Sequence, residues 1–307
     1  MRERVAPGPA AFAIMVLLCA IWGLQQVAIK LTLSGISPIL QVGLRSAIAA
    51  VLVFGWARVR GIVLFPADGS LRPGLLAGTL FALEFICIYT GLEYTGASRM
   101  VVFLYTAPCF TVLGLHWFVR GERIGVRHGF GVALAFGGIV LAFAEGMWRT
   151  PTGIPSGHTT TDYWIGDLLG VLAAILWAAT TVVIRASGLA RISAARVLLY
   201  QLAVSAVIVL PFSFLMNEPG ITAPTAPVLL SLAYQVVIVA FASYLTWFWL
   251  LTKFLASRLM VFSFLTPLFG VAFGVLLLNE HMSAQFGFAA LLVVAGIMLV
   301  NAPSRRP

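Results

Sequence analysis

Two ionisable side chains lie inside long apolar stretches of this chain. Glu84 occupies the middle of TLFALEFICIY, and Arg45 lies in the apolar run before it. A charge at membrane depth costs a few kcal/mol on insertion scales, so such residues are functional candidates by default. Glu84 could bind an amine or carry a proton, and Arg45 could bind a carboxylate. The alternatives are a structural carboxyl at Glu84 and a structural charge at Arg45, paired with the backbone or with Glu84.

Aromatic, amide and hydroxyl side chains recur at helical spacing on other apolar runs. Trp22, Gln25 and Gln26 are three and four residues apart, so a helix places them on one face. Trp177 and Thr181 repeat this spacing in the second half of the chain. An indole beside such groups can stack on an apolar moiety and leave a polar one to be hydrogen-bonded. The pattern predicts the wall of a solute cavity, with hydrogen bonding between helices as the alternative.

Further wall candidates and two prolines lie on the remaining runs. The additional candidates are Tyr105, Tyr244, Trp247 and Ser263. Pro108 and Pro267 fall at matching places in the two halves, within YTAPCF and FLTPLF. Proline removes a backbone hydrogen bond and kinks a helix. The matched prolines therefore predict bending points for gating, and static bends are the alternative.

The elements that must position these residues are membrane-spanning helices. Of 307 residues, 61% are hydrophobic and only 9% charged, and the mean hydropathy is +1.03. This composition excludes a soluble enzyme domain, and a helix that spans a bilayer needs about 20 apolar residues. Ten such segments are predicted, at about 11–29, 38–57, 74–92, 97–118, 128–145, 165–184, 195–215, 228–250, 257–278 and 283–302.

Other function classes lack their signatures. The net charge is +9, but the basic residues lie in short connections, which argues against a nucleic-acid partner. No phosphate-binding glycine loop or zinc-binding histidine pair occurs, so neither a cofactor nor a metal is expected. Asp162 and Asp167 are interpreted as a solvated first helical turn rather than a metal-binding pair. The expected partners are a small-molecule substrate and the lipid bilayer, and the chain could act as a monomer.

The distribution of positive charge predicts the orientation. With the N-terminus inside, most of the 19 Lys and Arg residues fall on the inner side. The outer side carries only Lys30, Arg99 and Arg149. Positively charged loops stay cytoplasmic. The count therefore predicts a multi-pass protein of a bacterial inner membrane with both termini cytoplasmic.

The chain contains an internal repeat. The triplet Ala-Ser-Arg occurs at 97–99 and 256–258, each followed by one of the prolines and then by a glutamate, Glu122 or Glu280. The repeat predicts two five-helix halves, 1–145 and 165–307, joined by a periplasmic linker, 146–164. An odd number of spans per half inverts the second half. Inverted repeats usually provide alternating access to a site at the membrane midplane, although a channel or a membrane enzyme could also contain them.

These features resemble the drug/metabolite transporter superfamily, and within it the ten-span EamA-type exporters over their whole length. The resemblance rests on the tryptophans of spans one and six, the Ala-Ser-Arg…Pro…Glu pattern and the glycine-rich fifth and tenth spans. On weaker matches, the chain is similar to the aromatic amino-acid exporters of that group. The resemblance implies a basket-shaped all-α bundle whose cavity is lined chiefly by spans one, three, four, six, eight and nine.

The sequence thus predicts a secondary transporter, not an enzyme. It would export small amphiphilic metabolites, including aromatic amino acids, by alternating access. The alternatives are a multidrug or nucleotide-sugar carrier of the same superfamily and, from a different class, an intramembrane lipid-modifying enzyme.

Overall fold

The protein is an assembly of apolar helices. The structure, a computed structural model, describes residues 9–64, 66, 68–118, 126–148, 160–253 and 265–301. In chain order the α-helices are α1 Pro9–Thr32, α2 Pro38–Val59, α3 Leu71–Tyr94, α4 Ala97–Leu104, α5 Ala107–Phe118, α6 Val126–Trp148, α7 Thr160–Ala186, α8 Ala194–Leu215, α9 Ala226–Ala233, α10 Tyr244–Lys253, α11 Leu265–Leu278 and α12 Ala284–Asn301. The all-helical membrane fold is therefore confirmed for the described residues.

Seven helical stretches among the described residues are long and apolar enough to cross a membrane. They are α1, α2, α3, α4 with α5, α7, α8, and α9 with the residues that follow it. Three shorter apolar helices lie at Gly129–Ala142, Leu265–Leu278 and Ala284–Leu299. Each of the predicted segments overlaps one of these helices, although residues 257–264 of the ninth segment lie outside the described residues. The count of ten complete spans stays a prediction.

Two of the stretches are irregular where they approach the candidate residues. The backbone leaves the α-helix at Tyr105 and Thr106, between α4 and α5, just before Pro108. Proline has no N–H to donate to the carbonyl four residues earlier, which explains the interruption there. Between α9 and α10 the chain forms a π-helix over Tyr234–Ser243. π-Helices are rare and frequently lie at functional sites.

Each of the long helices packs against particular neighbours. The pairs α2–α8, α4–α11 and α6–α12 pack against each other. α1 packs against α11 and α9, whereas α7 packs against α5, α4 and α3. α3 also packs against α8, and the π-helix packs against α2. Close approach is possible because small residues lie at the contacts: a Cβ added to Gly274 of α11 would lie 2.2 Å from the Ser98 hydroxyl oxygen of α4.

Candidate functional site

One part of the candidate site is a hydrogen-bonded tryptophan pair between α1 and the α9–α10 segment. The indole Nε1 of Trp22 donates a hydrogen bond of 2.9 Å to the Ser243 hydroxyl. Its ring meets that of Trp247 edge-on, with 5.8 Å between the centroids. Ser243 closes the π-helix and in turn donates to the Val239 carbonyl oxygen at 2.6 Å. The irregular helix thus positions the group that orients Trp22.

A second aromatic pair joins the break between α4 and α5 to α7. The rings of Tyr105 and Trp177 pack edge-to-face with centroids 5.3 Å apart. Tyr105 is buried, and Trp177 is partly buried. Thr181 is also partly buried, but its hydroxyl donates to the Trp177 carbonyl oxygen at 3.0 Å. The spacing argument placed these residues on one face, and the structure shows that this hydroxyl serves its own helix.

The charged candidates lie together, deep in the bundle. Arg45 is fully buried, and its Nη2 donates to the Tyr244 hydroxyl at 3.1 Å. The guanidinium carbon also lies 4.1 Å from the centroid of the Phe85 ring. Glu84 is buried on α3 and interacts electrostatically with Arg45, Tyr105 and Tyr244. Within the described residues, however, no ion pair joins Glu84 to Arg45.

The remaining candidates are less informative. Gln25 and Gln26 are both buried on α1, and the Gln26 Oε1 has no hydrogen-bond partner among the described residues. Pro267 is buried near the start of α11. Ser263 lies outside the described residues. The structure therefore brings most of the predicted wall residues into two aromatic pairs and one charged group, and their role in binding stays a prediction.

Polar residues close one end of the bundle, in a group that we call the end cluster: Lys30, Thr95, Arg99, Asp167 and Glu280. Lys30 donates to the Thr95 carbonyl oxygen at 2.7 Å and lies 4.0 Å from a Glu280 carboxylate oxygen. The Thr95 hydroxyl donates to Asp167 at 2.8 Å. Arg99 binds both oxygens of the same carboxylate. The cluster links α1, α3, α4 and α7 to the end of α11.

The end cluster corrects the interpretation of Asp167 as part of a solvated first turn. This residue is 1% exposed, because Arg99 and Thr95 from neighbouring helices cover its carboxylate. Arg99 is itself buried, with its guanidinium carbon 4.6 Å from the centroid of the Phe286 ring. The Asp167 carboxylate can be buried near the start of α7 because Arg99, from a distant part of the sequence, supplies the opposite charge.

Two glutamates that cap helices were missed in the sequence. Glu280 accepts hydrogen bonds from the backbone N–H groups of Ala97, at 2.7 Å, and Ser98, at 2.9 Å, which begin α4. Glu218 accepts from the N–H groups that begin α2 in the same way. Each glutamate follows an asparagine with positive φ at a helix end. An Asn-Glu dipeptide directly after an apolar run could have predicted these caps, since asparagine tolerates a positive φ at the end of a helix.

At the opposite end of the bundle, Asp68 joins the α2–α3 connection to α8. Its carboxylate accepts from Arg196 Nη2 at 2.8 Å and from the Ser70 backbone N–H at 3.1 Å. Ser70 and then the Arg196 guanidinium lower the pKa of Asp68 to about 2. This carboxylate is therefore ionised at any pH at which a transport assay would be run, and it contributes no titration to such an assay.

The comparison with protein families decides the class of the protein. The model of the EamA-like transporter family matches two stretches, residues 10–144 and 164–302. The chain belongs to the EamA-like transporter family. The resemblance to EamA-type drug/metabolite transporters is thereby confirmed, and the chain is a transporter rather than an enzyme.

Relatives of this EamA-like transporter span nearly all of it. It is 25% identical to the uncharacterized transporter YoaV of Bacillus subtilis over 91% of this chain and 92% of the relative. It is 23% identical to a protein of Escherichia coli named "Probable amino-acid metabolite efflux pump", over 92% of each chain. A solved crystal structure matches with a TM-score of 0.64 at 19% identity, over 95% of this chain and 97% of the other. That likeness concerns the fold alone.

Proposed function

We propose that this EamA-like transporter exports small amphiphilic metabolites, including aromatic amino acids, across a bacterial inner membrane by alternating access. The halves 1–145 and 165–307, joined by the periplasmic linker 146–164, would be inverted repeats of five spans each. Both termini would be cytoplasmic, and no cofactor is required. The two separate stretches that the family model matches support this division.

The pattern of helix packing is the observation that carries the proposal. An approximate twofold axis would exchange α1 with α7, α2 with α8, α3 with α9–α10, α4–α5 with α11, and α6 with α12. Every major contact then has an image: α1 on α11 corresponds to α7 on α4–α5, and α3 on α7 corresponds to α9 on α1. The pairs α2–α8, α4–α11 and α6–α12 map onto themselves. Two interchangeable halves can alternate between inward-open and outward-open shapes.

The side chains near this axis suit an aromatic zwitterion. The Trp22–Trp247 and Tyr105–Trp177 pairs supply edges and faces on which a ring can stack. Glu84 supplies a carboxylate for an amine. Gln25, Gln26, Thr181 and Ser263 are the proposed neutral hydrogen-bonding residues, with Pro108 and Pro267 as bending points. The E. coli relative's name as an amino-acid metabolite efflux pump agrees with this solute class.

The experiment that tests the function is flux through purified protein in liposomes. The expected result is uptake of labelled phenylalanine, tyrosine or tryptophan, recovered chemically unchanged, at rates well above those of empty liposomes. A labelled nucleotide sugar and a labelled lipophilic cation are tested in parallel. Uptake of either of these solutes, with no amino-acid flux, would assign the protein to a different carrier class.

The Glu84→Gln variant is expected to make transport independent of an imposed pH difference. A carboxyl buried at membrane depth can carry a proton, whereas an amide of the same shape cannot. The measurement is the initial rate of phenylalanine uptake with and without a pH difference across the liposome membrane. The matched control is Glu93→Gln, since Glu93 lies on the same helix but is less buried. A pH effect that persists unchanged in the Glu84→Gln variant would remove the proton role.

A further inference from the structure

Arg45 has hydrogen-bonding capacity that its surroundings leave unused. Its side chain is fully buried in the middle of α2. Nη2 donates to the Tyr244 hydroxyl, but Nε and Nη1 have no hydrogen-bond partner among the described residues. Leaving a buried donor without a hydrogen-bond partner is energetically unfavourable. A purely structural arginine would be expected to bind its neighbours more completely.

The interpretation of Arg45 as a structural charge required a definite partner, either the backbone or Glu84. The hydrogen bond to Tyr244 joins two side chains, and the Tyr89 hydroxyl is also close enough to interact with the guanidinium. No ion pair with Glu84 is found in that part of the chain, although the two charges interact at longer range. A buried charge without a close counter-charge is strongly unfavourable, which favours an anion supplied from outside the chain.

The guanidinium retains N–H groups that can bind a carboxylate. A guanidinium can bind a carboxylate through either of two pairs of N–H groups, or forks: Nε with Nη2, and Nη1 with Nη2. Each of the two Nη2 hydrogens therefore belongs to one fork. The Tyr244 hydroxyl takes one of them. The other fork, which combines Nη2 with an unpartnered nitrogen, remains complete for a bidentate carboxylate. The Phe85 face at 4.1 Å packs against the guanidinium plane and restricts its orientation.

We infer that Arg45 is the binding site for the carboxylate of the transported solute. The inference rests on the proposed function and narrows its substrates to carboxylate-bearing solutes. Glu84 lies on the neighbouring α3 and forms no ion pair with Arg45 in the described residues, so its carboxylate can pair with the ammonium group of the same zwitterion. Tyr244 shares Nη2 with the incoming carboxylate, and Phe85 forms the apolar wall behind it.

The test compares phenylalanine with phenylalaninamide, which keeps the ring and the amine but has no carboxylate. In the wild-type protein, phenylalanine is expected to be taken up in preference to the amide. Loss of the charge-assisted bonds in Arg45→Gln is expected to lower phenylalanine uptake by about 10- to 100-fold. Uptake of the amide should change far less. Equal loss of both fluxes, or no loss of either, would overturn the inference.

Binding measured without transport separates this inference from the proposed function. Phenylalanine is expected to raise the melting temperature of the detergent-solubilised wild type more than phenylalaninamide does, and Arg45→Gln should abolish the difference. If phenylalanine binds selectively but no flux is found, the proposed function fails and the carboxylate site stands. If Arg45→Gln does not fold, Arg45→Lys is measured instead, because lysine keeps the charge but cannot bind a carboxylate through two N–H groups at once. It should then show weakened selectivity for the acid, and full selectivity in that variant would count against a bidentate site.

Discussion

The Asp167→Asn variant is expected to lose about 3–5 kcal/mol of its free energy of unfolding, the range found when one partner of a buried ion pair is removed. Asp167 and Arg99 are 1% and 5% exposed, and the carboxylate accepts hydrogen bonds from Arg99 and Thr95. An asparagine would remove a carboxylate that pairs with the buried Arg99 guanidinium. The measurement is an SDS-unfolding titration of purified protein in micelles.

Two comparison variants show whether this cost comes from the buried charge. The change Asp68→Asn removes a carboxylate that also binds an arginine, but the Asp68 side chain is 35% exposed, so a much smaller loss is expected. The double variant Arg99→Leu with Asp167→Leu removes both charges and should recover most of the stability lost in the single variant. A loss at Asp167 no greater than that at Asp68 would contradict the argument.

The sequence was sufficient for features that depend on local periodicity. A long apolar run has few ways to satisfy its backbone in a membrane other than a helix, so the positions of α1, α2 and α3 could be predicted well. The spacing of Trp22 predicted that it shares a helix face with Gln25 and Gln26, and its place in the wall of a solute cavity stays a prediction.

Features that depend on distant partners could not be predicted in the same way. Asp167 was interpreted as solvated because it lies near a helix start, where the helix dipole favours an acid. Arg99 reaches it only through the packing of α4 on α7. The π-helix before Tyr244 was not predicted, because an apolar run indicates a helix without fixing its hydrogen-bond register. The unpartnered nitrogens of Arg45 likewise become visible only when all neighbours are placed.

The second large effect is expected from replacing Glu280, the glutamate at the end of α11. This change should alter how accessible the interior of the bundle is from outside, rather than the stability of the protein. Glu280 bonds the first N–H groups of α4 and lies 4.0 Å from Lys30 of α1. It thereby holds together helices that the proposed axis places around the cavity. The predicted orientation would put this end on the periplasmic side. We expect the end cluster to act there as a contact that closes the outer end of the proposed pathway.

The Glu280→Ala variant is expected to shift the equilibrium towards opening of that end by about 2–3 kcal/mol, which corresponds to about 30- to 150-fold. The probe is a cysteine at Val101, which is fully buried where α4 meets α11. A membrane-impermeant maleimide added from outside should label Val101→Cys faster by that factor when Glu280 is replaced. Protein without the Val101→Cys change gives the background from Cys19, Cys87 and Cys109, all buried.

The matched control for this variant is Glu218→Ala, because both glutamates cap a helix at the same end of the bundle. Glu218 caps α2 rather than α4, and its hydrogen bonds in the described part of the chain, to Ser37, Ile39 and Leu40, do not involve the end cluster. Both variants lose a helix cap and a similar amount of stability, but only Glu280→Ala separates α4 from α11. Equal labelling rates of Val101→Cys in the Glu280→Ala and Glu218→Ala proteins would mean that Glu280 acts only as a helix cap. Faster labelling in Glu280→Ala alone would identify it as the contact that holds the outer end closed.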